Sequence, residues 1–496
     1  MSANVIEPRP LAELLAGLTD TSLDGQGEVA GVAADSRHAS PGDLFLAVAR
    51  DADQRRAHAT EARERGAVAI AWDPADGEAP VADAFPVRGL REAAGTIAAR
   101  ALGAPSTDLT LVGVTGTNGK STCAWLLAQV LGGGEAPAGL IGTLGHGLWP
   151  ELAPATHTTP DPVGLQQTLA GFRDAGAGAA VMEVSSHALA QERLAGAEVD
   201  IAVFTNISRD HLDYHADMEA YIAAKARLFA RPELKVAVIN ADDPAAARMA
   251  AVVPEGCRVI HYGAHATAEV ALQGREPHVG GQELAVATPV GSVRLALPLA
   301  GAFNAENALA VVATLVALEW SPAAIAEALA AVTPPPGRLE AVPGGPPEVR
   351  VDYAHTPAAL EAALAAMREQ TRGRLWLVFG CGGDRDRGKR APMGAVAEAG
   401  ADVVVITDDN PRREDPAAIA GEILAGFGHP EAVEVIHDRA AAIAHAVTRA
   451  DAGDAILIAG KGHEAEQEVG TTRRAFSDSG VARAALERRG GAHAPV

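Results

Sequence analysis

The feature that most constrains this chain is an apolar run, residues 109–114 (Leu-Thr-Leu-Val-Gly-Val). It leads directly into Thr115-Gly116-Thr117-Asn118-Gly119-Lys120-Ser121-Thr122 and then into a helix-forming stretch, 120–131. A glycine-rich turn between a strand and a helix lets successive backbone N–H groups converge on one point, where the helix N-terminus adds positive potential. Phosphate is the ligand such a turn suits. In this pattern the lysine, Lys120, reaches the β- and γ-phosphates of ATP and the hydroxyl of Ser121 reaches Mg²⁺. Gly116, Thr117, Asn118, Gly119, Lys120, Ser121 and Thr122 are therefore expected to bind ATP. The spacing departs from the ordinary phosphate loop, since the position five before Gly119 is Val114 and the nearest glycine, Gly113, lies one residue further back. A glycine turn with an exposed lysine is the alternative, and the strand–loop–helix context argues against it.

The chain has 496 residues, which at roughly 150 per domain suggests about three domains. A boundary is expected near Leu102-Gly103-Ala104-Pro105-Ser106, and a second at Pro334-Pro335-Pro336-Gly337, which cannot continue the Ala-rich helix before it. The expected segments are 1–104, 105–333 and 334–496. In the second, strand-like runs (109–114, 179–184, 201–205, 236–240) alternate with helix-like ones (120–131, 165–175, 220–229). The third repeats the habit with runs at 349–352, 375–379, 403–407 and 455–459. Continuous Val/Ile/Leu runs separated by helices predict parallel sheets covered on both faces. The expected fold is thus α/β in three domains: a small mixed α/β N-terminal domain, a central parallel-sheet ATPase-like domain and a Rossmann-like C-terminal domain.

Further motifs follow the loop in order: Thr158-Thr159-Pro160-Asp161, then Met182-Glu183-Val184-Ser185-Ser186-His187, Asn206-Ile207-Ser208-Arg209-Asp210-His211-Leu212-Asp213, and a helix carrying Lys225. Beyond these come Gly301-Ala302-Phe303-Asn304-Ala305-Glu306-Asn307, Pro336-Gly337-Arg338-Leu339-Glu340, Asp352-Tyr353-Ala354-His355, Gly382-Gly383-Asp384-Arg385-Asp386, Asp409-Asn410-Pro411-Arg412 and Gly460-Lys461-Gly462-His463-Glu464. Across nearly the full length this set resembles the Mur ligases, ATP-dependent enzymes that join an amino acid to a carboxylate. Within the family it is most similar to members that add meso-2,6-diaminopimelate to UDP-N-acetylmuramoyl-L-Ala-D-Glu during cytoplasmic peptidoglycan synthesis.

The residues support several roles on their own chemistry. Glu183, at the C-terminal end of a parallel strand, and His211, at the end of the next, suit a Mg²⁺ that takes few protein ligands. Ser121, Glu183 and His211 are the expected metal set, although His211 taken alone, without its Asp-His-x-Asp context, reads as a strand-end histidine bonded to backbone. By composition Lys225 is a solvated helix lysine; the resemblance implies that it is carbamylated and, with Lys120, Glu183 and His211, catalytic. The resemblance also implies that Asn304, Asn307, Arg338 and Asp352 hold the nucleotide. It assigns Ser36, Thr158, Thr159, Ser185, Gln191 and Arg193 to the UDP-linked substrate. Diaminopimelate falls to Arg385, Asp409, Asn410, Pro411, Arg412, Gly460 and Glu464, with Arg412 offering a bidentate fork to the carboxylate that lysine lacks. The stretch Arg50-Asp51-Ala52 departs from the His-Gln-Ala of close relatives, next to the expected uridine contacts.

The resemblance implies a two-step reaction: the D-Glu carboxylate takes the γ-phosphoryl group of ATP, and the amine then displaces phosphate. A lysine-adding ligase, a folylpolyglutamate synthetase and a non-catalytic ATP-binding module remain as alternatives. The net charge of −22 argues against nucleic acid or an anionic membrane as partner. The longest strongly apolar stretch, 308–318, is too short to cross a bilayer, and the N-terminus shows no basic segment leading into an apolar one. Three scattered cysteines support neither a disulfide framework nor a zinc site. A monomeric cytoplasmic protein is expected.

Overall fold

The computed structural model describes residues 7–491 except 24, 156 and 279. The chain builds three large sheets in succession. The first has four parallel strands, Gly31–Ala33, Asp43–Ala47, Ala69–Trp72 and Phe85–Pro86, in chain order. Helix Ala52–Glu64 covers one face and Leu90–Ala101 the other, so Leu44 and Leu46 point into one core and Phe45 into the opposite one.

The second sheet has eleven strands. Its parallel centre runs Ala138–Gly142, Ala179–Glu183, Thr110–Thr115, Ile201–Phe204, Val236–Asn240, Arg258–Gly263. The strand that feeds the phosphate loop lies in the middle, and Glu183 leaves the neighbouring strand in register with Val114. Loop and carboxylate therefore emerge side by side at the C-terminal edge, where such sheets place their ligands. Antiparallel strands extend both ends: Gly145–Leu148 and Glu151–Ala153 at one, Gly281–Thr288 and Gly291–Leu297 beyond Val270–His278 at the other. These alternate buried and exposed residues, as in Gly291–Leu297, because only one face is covered. The Ala-rich helix Ala302–Ala317 packs on the sheet with twelve buried residues, a small-residue surface that lets it approach closely.

The third sheet orders its strands Glu340–Ala341, Glu348–Asp352, Ala455–Ala459, Leu375–Phe379, Val403–Ile406, Glu434–Val435, parallel apart from the first pair. Proline at N1 and a side-chain cap start many helices: Thr356 caps Pro357–Gln370 and Asp161 caps Pro162–Asp174, each worth about 1 kcal/mol. Among the described residues no helix is long and apolar enough to cross a membrane.

Candidate active site

The phosphate loop is wedged between a strand end and a buried helix, and two glycines make this possible. A Cβ on Gly116, at φ +149°, would sit 1.8 Å from Thr205 Oγ1, and one on Gly119, at φ +87°, would sit 2.3 Å from Asn307 Oδ1. Thr205 Oγ1 donates to Asn118 O at 2.6 Å, and Asn206 Oδ1 accepts from Asn118 N, so the next strand end holds the loop's far side. Thr117 is tied to Ser208 and Tyr221. Thr122 is buried in the first helical turn. Lys120 folds back over the loop, its ammonium donating to Gly116 O (2.9 Å) and Thr117 O (2.8 Å).

Ser121 and Glu183 meet beneath the loop. Ser121 Oγ donates to Glu183 Oε2 at 2.8 Å, and Glu183 Oε1 accepts from Thr143 N at 2.7 Å. Oxygen ligands on adjacent corners of an octahedral Mg²⁺ lie about 3 Å apart, from bond lengths of about 2.1 Å. The Ser121–Glu183 pair has that spacing and the right donor chemistry, so these residues fit the ion. Among the described residues no group of three or more His, Cys, Asp and Glu is assembled for a metal.

Lys225 is 1% exposed and its ammonium donates to the same carbonyl, Gly116 O, at 2.7 Å. The two lysine nitrogens can therefore be no more than about 5.6 Å apart, a separation at which two full charges repel by about 3 kcal/mol at an effective dielectric near 20. Burial, then Lys120, push the Lys225 amine well below its ordinary range; burial also lowers Lys120. Both shifts work against the charged form, the larger one at Lys225. His211, at φ +55°, stacks edge-on to His187, and burial holds its pKa down to about 3, so its ring is neutral.

Asp210 beside it has a role that sequence reading missed. Burial works to raise its pKa, yet His355, His211 and Lys389 together hold it well below the usual carboxylate range. His355 and Lys389 come from the third sheet's side. The Arg209–Asp386 ion pair (3.2 Å) and the Asp210–His355 contact (3.7 Å) both cross the junction. The only sequence signal was the presence of Asp210 and His355 in the ordered motifs.

Arg338 reaches across the same junction, donating to Ser121 Oγ at 3.1 Å and lying 4.7 Å over the ring of Tyr353. Asp352 accepts from Leu339 N at 2.7 Å, and burial raises its pKa. Asn304 and Asn307 sit under the loop: Asn307 Nδ2 donates to Asn304 Oδ1, Asn304 Nδ2 to Ala300 O, and Asn307 Oδ1 faces Gly119. Both amides buttress the turn from below.

Thr158, Thr159, Ser185, Gln191 and Arg193 form a second group, adjoining Glu183. Thr158 bonds Thr143, Thr159 Oγ1 donates to Glu183 O, and Arg193 donates to Thr159 O and Gln191 Oε1. Ser185 caps a short helix through Ala188 N. Ser36 lies apart in the first sheet's layer, buried, with its hydroxyl donated to Glu61 at 2.7 Å. Arg50 and Asp51 lie in a turn held by Arg55, which donates to the carbonyls of Ala49, Arg50 and Asp76.

The third group gathers at the C-terminal edge of the third sheet. Arg412, at φ +50°, donates to Gly383 O (2.7 Å) and pairs with Glu468 (3.3 Å). Arg385 is exposed and bonds its neighbour's carbonyl, Asp384 O. Asp409 faces Gly460, where a Cβ would lie 2.6 Å from its Oδ2, and Pro411 is buried beside Gly383. Asn410 Nδ2 and Lys461 Nζ both donate to Glu464 Oε2. Part of the local basic run is committed elsewhere: Arg390 pairs with Glu414 and Glu422, and Arg387 with Glu422.

Residues 114–315 match the Mur ligase middle domain and residues 337–462 the Mur ligase, glutamate ligase domain. The chain is 48% identical, over 98% of its length and 100% of the relative's, to a UDP-N-acetylmuramoyl-L-alanyl-D-glutamate--2,6-diaminopimelate ligase of Ectopseudomonas mendocina. A solved structure of that name superposes with a TM-score of 0.72 at 35% identity, covering 98% of this chain and 100% of that one. The Mycobacterium tuberculosis folylpolyglutamate synthase complexed with ADP superposes at 0.63 and 25% identity, covering 74% of this chain and 91% of that one.

Proposed function

The chain belongs to the Mur ligase family, and on that premise we propose that it uses ATP to join meso-2,6-diaminopimelate to UDP-N-acetylmuramoyl-L-Ala-D-Glu in cytoplasmic peptidoglycan precursor synthesis. The observation that carries this reading is the junction where Ser121 of the phosphate loop bonds both Glu183 and Arg338. A triphosphate seated on the loop would there meet groups from two sheets at once, next to Thr158, Thr159 and Arg193.

In the proposed reaction a γ-carboxylate oxygen of the D-Glu residue attacks the γ-phosphorus of ATP. The bond to the bridging oxygen breaks, leaving ADP and an acyl phosphate. The amine nitrogen of diaminopimelate adds to the acyl carbon, and collapse of the tetrahedral adduct expels phosphate as the nitrogen loses its proton to solvent. Such chemistry needs positioning and charge neutralisation more than a protein nucleophile. Lys120 is free to turn from its two carbonyls to phosphate oxygens, and Arg338 stands beside the same point. Mg²⁺ held by Ser121, Glu183 and the neutral His211 would offset charge on the phosphates and the incoming carboxylate.

Lys225 is read as the modified residue. Its amine, in the uncharged form, would attack CO₂, form an N–C bond and release one proton, placing an anion beside Lys120. The anion would attract Lys120 where the ammonium form would repel it by about 3 kcal/mol.

We divide the labour at about residues 104 and 333. The first segment would take the UDP end around Ser36, the second ATP, and the third diaminopimelate, with Arg412 and Arg385 for its distal carboxylate and Glu464 for its distal ammonium. The lysine-adding alternative lacks a use for Arg412. The test is the mass of the product formed from UDP-N-acetylmuramoyl-L-Ala-D-Glu, ATP, Mg²⁺ and equal meso-diaminopimelate and L-lysine. A tripeptide product carrying diaminopimelate is expected; a lysine adduct, or phosphate release without ligation, would overturn the reading.

A further inference from the structure

Lys461 is wholly buried, yet its partners are not the backbone oxygens that usually quench such a lysine. Its ammonium donates to Glu464 Oε2 at 2.6 Å and to Asn410 Oδ1 at 3.0 Å. Asn410 closes the triangle, its Nδ2 donating to the same Glu464 oxygen at 2.8 Å. Its Oδ1 also accepts from Glu468 N at 2.9 Å. Two donor-only groups, an ammonium and a backbone N–H, therefore face one end of the amide and a carboxylate faces the other, which leaves a single admissible orientation for Asn410.

The consequence falls on Glu464. Both of its donors converge on Oε2, and among the described residues no hydrogen bond falls on Oε1. The carboxylate is thus pinned by one oxygen while the other stays available, and the side chain is 31% exposed. The same triangle continues to the anion-binding side. Glu468, whose N–H holds Asn410, pairs through its carboxylate with Arg412, and Arg412 N donates to Glu468 O at 3.2 Å.

We infer that Lys461 is a positioning residue for the amino-acid subsite: it fixes Glu464 and Asn410 so that one free carboxylate oxygen stands at a set distance from the Arg412 fork. A ligand end bearing both an ammonium and a carboxylate is the chemistry that reads such a spacing. The inference rests on the proposed amino-acid specificity, and it adds a residue that touches no substrate. A buried ammonium held by two side chains also costs more to desolvate than a neutral residue would, so it serves orientation rather than stability.

The test replaces Lys461 with Met, which keeps the length and removes charge and donors, and compares steady-state constants in the wild-type and Glu464→Gln backgrounds. In K461M the KM for meso-diaminopimelate should rise about 10-fold or more while the KM for ATP stays within about twofold, as expected when charge-assisted bonds orient one ligand only. In the E464Q background the same change should alter the KM for diaminopimelate by less than about twofold, because the residue it positions no longer carries the charge. The double variant buries no unpaired charge and keeps the comparison readable if K461M alone folds poorly. An unchanged diaminopimelate KM in K461M, an equal rise for ATP, or the same rise in both backgrounds would overturn the inference. If the unaltered protein consumes lysine instead, the specificity reading fails separately, and the Lys461 effect is judged by the same criteria on the KM for lysine.

Discussion

Two cation-rich regions face each other across the junction of the second and third sheets, and they are finished in opposite ways. Around the phosphate loop, Lys120 and Lys225 spend their hydrogens on backbone carbonyls, and Arg338 bonds a hydroxyl and lies over an aromatic ring. Around the third sheet's edge, four cations have a carboxylate: Arg390 has Glu414 and Glu422, Arg387 has Glu422, Arg412 has Glu468, and Lys461 has Glu464, while Arg385 bonds a carbonyl. In the first region, among the described residues, these cations are not ion-paired to a carboxylate, although Glu183 and Asp210 act on Lys120 from nearby, and unpaired cations suit a polyanion. The second is neutralised in advance, and what it can offer is a pair of opposite charges at fixed spacing, which suits a zwitterion. The difference accounts for how a protein of net charge −22 could take up ATP: only the pocket that meets the phosphates needs uncompensated cations.

If that contrast is right, the largest effects belong to the unpaired cations. Lys120→Ala should lose measurable ADP formation, a fall of more than about 10³-fold, since phosphoryl transfer relies on charge neutralisation at the γ-phosphate. Single-turnover ADP release measures it, and a near-normal rate would remove Lys120 from the site. Lys225→Arg keeps the positive charge but cannot carry a carbamate. Its rate should drop about 10- to 100-fold, and the carbamate carbon signal expected from ¹³C-bicarbonate in the unaltered protein should be missing. A normal rate would mean that a cation at this position serves as well as an anion.

In the neutralised region the effect should be smaller and confined to one ligand. Arg412→Ala removes a fork worth about 1.5–3 kcal/mol to a carboxylate, so the KM for diaminopimelate should rise about 10- to 100-fold. The KM for ATP should hold, and the preference over lysine in direct competition should shrink. Equal losses for ATP and diaminopimelate would merge the two regions into one and break the comparison.

The contrast itself was not legible in the sequence. The run Arg385-Asp386-Arg387-Gly388-Lys389-Arg390 carries four cations in six residues, and the structure commits Arg387 and Arg390 to glutamates brought in from the 414–422 stretch. Ion pairing between segments depends on which helices pack together, and no local pattern reports it. What was legible is local or periodic: the strand–loop–helix at 110–132, Glu183 at a strand end, and the parallel β/α alternation. The antiparallel strands at the ends of the central sheet were missed because residues such as 281–297 alternate buried and exposed positions instead of forming the continuous apolar runs that mark the buried parallel strands. Asp210 and Lys461 sat in plain view within motifs. Their roles depend on His355, Lys389 and Asn410, which only the fold brings to them.

The smallest expected effect tests whether the junction between the regions is closed as described. His463 lies beside Tyr353 with its Nδ1 buried and without a hydrogen bond among the described residues, and burial, followed by the nearby Arg338, pushes its pKa down to about 4 from an ordinary 6.5. Between those values the unfolded chain binds a proton that the folded protein refuses. Folding stability must therefore decline as pH falls through 6.5 and stop losing from this group below about 4. His463→Gln removes that titration while keeping a polar group of similar reach. The drop in Tm between pH 7 and pH 5 should be smaller in the variant by about 1–2 °C, with the remainder carried by groups such as His211, whose pKa is lowered in the same direction. If the two proteins lose the same Tm, then in solution His463 is solvated, the loop 460–464 stands away from Arg338, and the two regions do not meet without ligands.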